Sequence, residues 1–355
     1  FEKHLCRRVC NEVMDLFDPY DPCSITNCRK LIKDKLLGEV DDETVYNEKN
    51  HSQEYVPIFG FGNCHIDTAW LWPFAETKRK ITRSWTSQIA IIEQYPEYQF
   101  VASQAQQFKW LKLEHPEFFH EKLIPKIKQG NFIPIGGSWV ENDTNMPSGE
   151  GLSRQFFFGQ RFFIKNFNMK SNIYWLPDTF GYTSTLPQII KLSQMDYFLT
   201  QKLSWNNINK FPYNTFEWQG IDGTQVLCHM PPADTYTSDA SFADTMKSSK
   251  NNKSGDVIGG NLLLYGIGDG GGGPTNGMLE KLRRFRGLNN KLGSVIPKVS
   301  LGKLNSVEEF FKNIESKNKG KTLPTWIGEL YLEFHRGTYT TQAMLKKLMR
   351  RSEVQ

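Results

Sequence analysis

Four stretches of this 355-residue sequence set metal-ligating or catalytic side chains just after apolar runs. The first is Gly62-Asn63-Cys64-His65-Ile66-Asp67-Thr68-Ala69-Trp70. In extended backbone, positions i and i+2 point to the same side, so His65 and Asp67 can address one ion together. An imidazole with a carboxylate suits zinc or a similar divalent metal, although the same pair also arises by chance or in structural roles. The second is Tyr174-Trp175-Leu176-Pro177-Asp178-Thr179-Phe180-Gly181-Tyr182. Asp178 there is either a helix N-cap or a functional carboxylate beside the aromatic wall of Trp175 and Phe180. The third, Gly268-Asp269-Gly270-Gly271-Gly272-Gly273-Pro274, follows the run Leu262-Leu263-Leu264-Tyr265. Its glycines allow close backbone approach to a ligand or make a flexible linker. It is not a phosphate loop, because the Gly-Lys-Ser/Thr ending is missing. The fourth is Glu329-Leu330-Tyr331-Leu332-Glu333-Phe334-His335-Arg336-Gly337-Thr338-Tyr339-Thr340. Even spacing puts Glu329, Tyr331, Glu333 and His335 on one side of an extended segment, where His335 supplies a second nitrogen ligand; otherwise it is a surface histidine.

Elements that position these groups can be read around them. Short β-rich runs at 56–61, 99–103, 131–135, 172–176, 196–200 and 261–267 alternate with helical patterns. Ile81, Trp85, Ile89 and Ile92 fall at helical spacing, as do the apolar positions of 152–163. Residues 216–218 and 225–230, joined through Asp222-Gly223, predict a hairpin. Ser306 with Glu309 predicts a capped helix start. Residues 1–50 form a helical N-terminal extension, with a loop around Asp18-Pro19-Tyr20-Asp21-Pro22 and a polar linker over 41–50. The strand–helix alternation predicts a parallel α/β sheet, open or closed as a barrel, with reactive residues at the C-terminal strand ends. The motifs above sit at such ends.

Composition narrows the partners. A net charge of +5 over 355 residues, with acids and bases interleaved, argues against nucleic acid. No apolar run approaches the length that spans a bilayer. Cys6, Cys10, Cys23, Cys28, Cys64 and Cys228 are too sparse for a disulfide framework, which favours a reducing compartment. The chain begins at Phe1 rather than Met and stops after a helical pattern, so a fragment is expected. The polar stretch 235–256 reads as an insertion or lid.

These motifs, with Gly136-Gly137-Ser138-Trp139-Val140-Glu141-Asn142-Asp143, Pro147-Ser148-Gly149-Glu150 and Gly159-Gln160-Arg161-Phe162-Phe163, resemble the family 38 α-mannosidases over about 55–339. The subgroup most resembled is the cytosolic and vacuolar neutral type. The resemblance implies a seven-stranded barrel-like catalytic domain over 51–322. Residues 323–355 would hold the last metal-ligand segment and the start of a helical bundle. It implies a retaining exo-α-mannosidase acting on free oligosaccharides or N-glycans, with one zinc or cobalt ion. His65, Asp67, Asp178 and His335 would be the metal ligands, Asp178 also the nucleophile and Asp269 the general acid and base. Trp70, Asp143 and Phe180 would contact the sugar. A cytoplasmic or vacuolar/lysosomal location and a homo-oligomer of the full-length protein are further expectations.

Asn142 departs from the subgroup, which tends to have Met there. Asn142-Asp143-Thr144 also spells a glycosylation sequon, read as chance because a glycan would block the pocket. The alternatives are a polysaccharide deacetylase-like metal hydrolase, which has no need of a glycosyl-accepting carboxylate, and an inactive glycan-binding or cargo protein.

Overall fold

The computed structural model describes residues 2–38, 57–255, 257–292, 296–302, 306–317 and 323–355. The expected linker at 41–50, the boundary at 50/51 and the first residue of the first predicted strand lie outside these residues. In chain order the elements are α1 (Glu2–Leu16), α2 (Pro22–Leu36), β1 (Ile58–Asn63), α3 (Phe74–Gln94), β2 (Phe100–Gln104), α4 (Ala105–Glu114), α5 (Ile124–Lys128), β3 (Phe132–Ser138) and α6 (Gly149–Phe167). Then come β4 (Ile173–Trp175), α7 (Leu186–Leu192), β5 (Tyr197–Leu199), β6 (Thr215–Gln219), β7 (Gln225–His229), α8 (Phe242–Lys250) and β8 (Asn261–Tyr265). The last are α9 (Asn276–Leu292), β9 (Val299–Ser300), α10 (Val307–Lys317), β10 (Thr325–Ile327) and α11 (Ala343–Val354).

The α/β class expected from the sequence is observed. The strands form two five-stranded sheets. In the first, the order β3-β2-β1-β8 is parallel throughout, and β9 also pairs with β1. In the second, of order β10-β6-β7-β5-β4, only the β6–β7 hairpin is antiparallel. No ladder joins the two sheets among the described residues, so a single closed seven-stranded barrel is not what is seen. β3 and β4 run close together without a ladder. On the other side the segment after β7 makes one parallel bridge, Ser238 to Tyr265 of β8.

Burial explains these elements. β1 (IFGFGN) and β8 (NLLLY) are buried along their whole length, as strands covered on both faces must be. α3 turns Ile81, Trp85, Ile89 and Ile92 into the core at the predicted spacing. Asp21 caps α2 by accepting from the Cys23 and Ser24 amides, and Pro22 occupies the first turn. Ser306 Oγ accepts from the Glu309 amide at 3.3 Å and starts α10. α10 packs on the second sheet, where Phe311 stacks on Tyr197 of β5.

Two expectations need correcting. The run around His335 is not extended: Leu330 makes an isolated bridge to Tyr182, and His335 precedes the 3-10 turn Arg336–Tyr339. Leu330 and Leu332 are buried, but Glu333 breaks the alternation by accepting from the Ile208 and Asn209 amides. The stretch 235–256 is not a separate lid in its described part: α8 contacts β8 and β1, and Tyr236 enters the site below.

Candidate active site

Four strand ends converge on one cluster. β1 leads into His65 and Asp67, β3 into Glu141, β4 into Asp178 and β8 into Asp269. One ligand atom each from His65, Asp178 and Asp269 lie within 4.8 Å of one another. The His65 imidazole is the hub: Nε2 lies 3.3 Å from Asp67 Oδ1 and 3.5 Å from Asp178 Oδ2, and Nδ1 lies 2.8 Å from Glu141 Oε2. Ser103 Oγ donates to the other Glu141 oxygen at 2.5 Å, and Gln104 Nε2 and Gln107 Nε2 hold the Ile66 carbonyl between the two site residues.

Asp178 is clasped by side chains from two other segments. Lys202, after β5, forms an ion pair with Oδ1 and is only 3% exposed. Tyr236 donates from its hydroxyl to Oδ2 at 2.6 Å. The Lys202 ammonium also lies 3.6 Å from the Trp205 ring centroid and 5.5 Å from that of Phe180, so aromatic faces share its charge.

Electrostatics separate the two carboxylates. Burial raises Asp178, but the charges of His65 and Lys202 and the hydrogen bonds from Lys202 and Tyr236 outweigh it, holding the carboxyl below its ordinary range. Burial raises Asp269 too; there the carboxylates of Asp67 and Asp178 reinforce it against His65 and Lys202, and the net shift is upward. Burial disfavours a charged His65, yet Glu141 and Asp67 hold it well above the usual imidazole value.

Of the residues expected from the sequence, His65, Asp178 and Asp269 come together, with Asp67 against the His65 ring. His335 stands beside them rather than among them, its ring 4.5 Å from that of Phe180 and 6.1 Å from that of Trp205. Partial burial and the charge of Lys202 lower its pKa. Trp70 is 58% exposed, edge-on to Trp72. Asp143 Oδ1 accepts from the Asn145 and Met146 amides and closes a turn, which leaves one oxygen for other partners. Asn142 is buried and accepts from Tyr174 at 3.1 Å, so its side chain is inaccessible to a glycan.

Glu141, Lys202 and Tyr236 went unrecognised in the sequence. Glu141 stands inside the 136–143 motif that carries the family resemblance, which is the one signal that could have found it. Lys202 and Tyr236 carry no spacing signal, because their partner is 24 to 58 positions away in the chain.

The donor set suits a divalent cation. Glu141 on Nδ1 fixes the tautomer and turns Nε2 toward the carboxylates, as the outer carboxylate partner of a metal-binding histidine does. A cation there would take over from the imidazole proton the balancing of three carboxylates. His, Asp and Asp fit zinc or a neighbouring transition metal better than calcium.

The glycosyl hydrolases family 38 N-terminal domain matches residues 56–329, and the chain belongs to that family. Its relatives narrow the subgroup. The chain is 58% identical over 355 residues to an alpha-mannosidase of Saccharomyces cerevisiae, covering 100% of this chain and 33% of the relative. It is 43% identical over 343 residues to alpha-mannosidase 2C1 of Mus musculus, covering 97% and 31%. The chain therefore spans about a third of the length of these curated relatives. A crystal structure of an alpha-mannosidase from Enterococcus faecalis superposes with a TM-score of 0.62 at 19% identity, over 78% of this chain and 31% of that one. At that identity the likeness is one of fold. No described helix is long and apolar enough to cross a membrane.

Proposed function

We propose that this chain is the catalytic part of a metal-dependent, retaining exo-α-mannosidase that removes terminal α-linked mannose from free oligosaccharides or N-glycans. The observation that carries the proposal is the Asp178–Asp269 pair. Ligand oxygens of the two lie within 4.8 Å, and their surroundings push the carboxyls in opposite directions. Retaining glycosidases need two carboxyl groups about 5–5.5 Å apart, one ionised and one protonated.

In the first step an Asp178 oxygen attacks the anomeric carbon while the bond to the leaving oxygen breaks and the Asp269 proton passes to that oxygen. In the second, Asp269 takes a proton from water, which displaces the mannosyl group and frees Asp178. Lys202 and Tyr236 keep Asp178 ionised and aimed. His65, Asp67, Asp178 and His335 are the proposed ligands of one zinc or cobalt ion. Such an ion would help to orient the sugar and to neutralise charge in the site. Trp70 is proposed as a platform for the sugar ring, with Phe180 and Asp143 as further proposed sugar contacts. The proposed compartment is cytoplasmic or vacuolar/lysosomal.

The test is an aryl α-mannoside assay on the whole protein, after chelation and after adding back zinc or cobalt, with the product anomer followed by proton NMR. Loss on chelation, recovery with metal and initial release of α-mannose support the reading. Acetate release from an acetylated glycan, or glycan binding without turnover in metal-loaded protein, would replace it with a deacetylase or a binding protein.

A further inference from the structure

The loop that carries Asp269 holds a conformation it could not keep alone. Asp269 has φ of 51°, in the left-handed region that favours glycine. Gly270, Gly272 and Gly273 also have positive φ. Ile267 and Gly273 close the loop through mutual amide–carbonyl bonds of 3.0 and 2.9 Å.

The rest of the restraint comes from α3. Gln88, fully buried, donates from Nε2 to the Gly272 carbonyl at 2.7 Å and to the Pro274 carbonyl at 3.0 Å. Both partners can only accept, so the amide nitrogen must face them. Its oxygen accepts from the hydroxyl of buried Tyr98 at 2.6 Å, which leaves the amide one orientation. Tyr98 reaches that point because Gly62 of β1 has no side chain; a Cβ there would lie 2.2 Å from the Tyr98 hydroxyl. One turn earlier on α3, Arg83 donates to the Gly270 carbonyl at 3.2 Å, and Lys80 packs where a Gly270 side chain would stand. Donors from one helix thus fix the backbone on the C-terminal side of Asp269 at three carbonyls. The His65 carbonyl accepts from the Gly270 amide at 3.3 Å on the other side.

From this geometry we infer that Gln88, oriented by Tyr98 and assisted by Arg83, is a positioning residue that sets the Asp269 carboxyl against the leaving-group oxygen. The inference rests on the general-acid role proposed above for Asp269. Gln88 and Arg83 touch neither substrate nor the reacting atoms; they act through the loop backbone. Their loss should therefore injure proton delivery and leave nucleophilic attack by Asp178 nearly intact.

The test compares kcat/KM, which reports the first step alone, for phenyl and 2,4-dinitrophenyl α-mannosides in the whole metal-loaded protein. The dinitrophenolate leaves without a proton; phenolate does not leave readily. Gln88→Met keeps the length and removes both donors. It should lower kcat/KM on the phenyl substrate about tenfold to hundredfold, up to the lower end of general-acid effects, and on the dinitrophenyl substrate less than about threefold. Metal content should be unchanged. Arg83→Met should show the same selectivity more weakly, and Arg83→Lys, which keeps a donor, should restore the parent ratio. The Arg83 pair decides the matter if Gln88→Met does not fold. Equal losses on both substrates in these variants, while Asp269→Asn remains selective, overturn the positioning role alone. Equal losses in Asp269→Asn overturn the acid role, and this inference falls with it.

Discussion

The two sheets contribute different kinds of group to the site. The first, with β1, β3 and β8, supplies His65, Asp67, Glu141 and Asp269, a set rich in carboxylates. The second supplies Asp178, Lys202, Tyr236 and His335 from the ends of β4, β5, β7 and β10, and with Lys202 the cluster's permanent cation. The manner of restraint differs too. Asp178 is held by side chains, an ion pair and a hydroxyl. Asp269 is held through its backbone by α3. A side-chain clasp sets the charge of a carboxylate, whereas a backbone clamp sets its place. The first suits a nucleophile that must stay ionised, and the second an acid whose proton has to be delivered to one point. With no ladder joining the sheets among the described residues, contacts across the seam such as His65 to Asp178 and Asn63 Nδ2 to the Tyr236 carbonyl, at 3.1 Å, bring the halves into register.

The sharpest break in that comparison is removal of one carboxylate at a time. Asp178→Asn should lower kcat by roughly 10⁴-fold or more on every substrate, since no other group can accept the glycosyl unit. Normal turnover in that variant would remove Asp178 from the mechanism. Asp269→Asn should cost about 10²–10⁴-fold on substrates with poor leaving groups and far less on activated aryl mannosides. Steady-state kinetics across a leaving-group series distinguishes the two patterns.

How far these groups were legible in the sequence follows from the same contrast. His65, Asp67, Asp178 and Asp269 stood out because strand ends place chemistry locally, so a motif of a few residues carries both the strand and the group; the roles proposed for them rest on the family resemblance. The predicted strands, the 216–230 hairpin and the Ser306 cap were legible for the same reason: each depends on neighbours in sequence. Lys202, Tyr236 and the α3 clamp were not. Their partners lie far along the chain, and Gln88 on a helix looks like any other polar position until its carbonyl partners, 184 and 186 residues away, are known. The glycine-rich run was ambiguous between linker and clamped loop because only tertiary hydrogen bonds tell the two apart. The chain's division into two sheets was equally hidden, since alternation of strands and helices fixes neither where a ladder stops nor that β10 adds to β6.

Lys202→Met tests the charge side of the comparison. Removing the cation leaves Asp178 buried with one partner fewer, a loss that costs about 3–5 kcal/mol when a buried pair is broken. The metal-free protein should lose stability on that scale in denaturant unfolding, and Lys202→Arg should recover much of it. A change below about 1 kcal/mol would mean that Tyr236 and His65 suffice to hold the carboxylate.

The smallest expected effect lies behind the second sheet, at His229 on β7. This imidazole is completely buried, has Nδ1 2.9 Å from the Thr215 hydroxyl and packs edge-on against Phe310 of α10. Burial pushes its pKa down from 6.5 to about 3. A histidine with a lowered folded-state pKa is protonated first in the unfolded chain, so acid draws the equilibrium toward unfolding. Its contribution is intact above pH 6.5 and is lost progressively as pH falls from there toward 3. Between pH 7 and pH 5 the loss from this one group should be about 2 kcal/mol. His229→Gln retains a polar partner for Thr215 but cannot titrate, so its stability should fall by about 2 kcal/mol less than the parent over that interval. Hydrogen exchange should show β6, β7 and α10 losing protection before β1 and β8 in the parent protein and not in the variant. Identical pH slopes for the two proteins would show that His229 does not make the half carrying Asp178 the more acid-sensitive one.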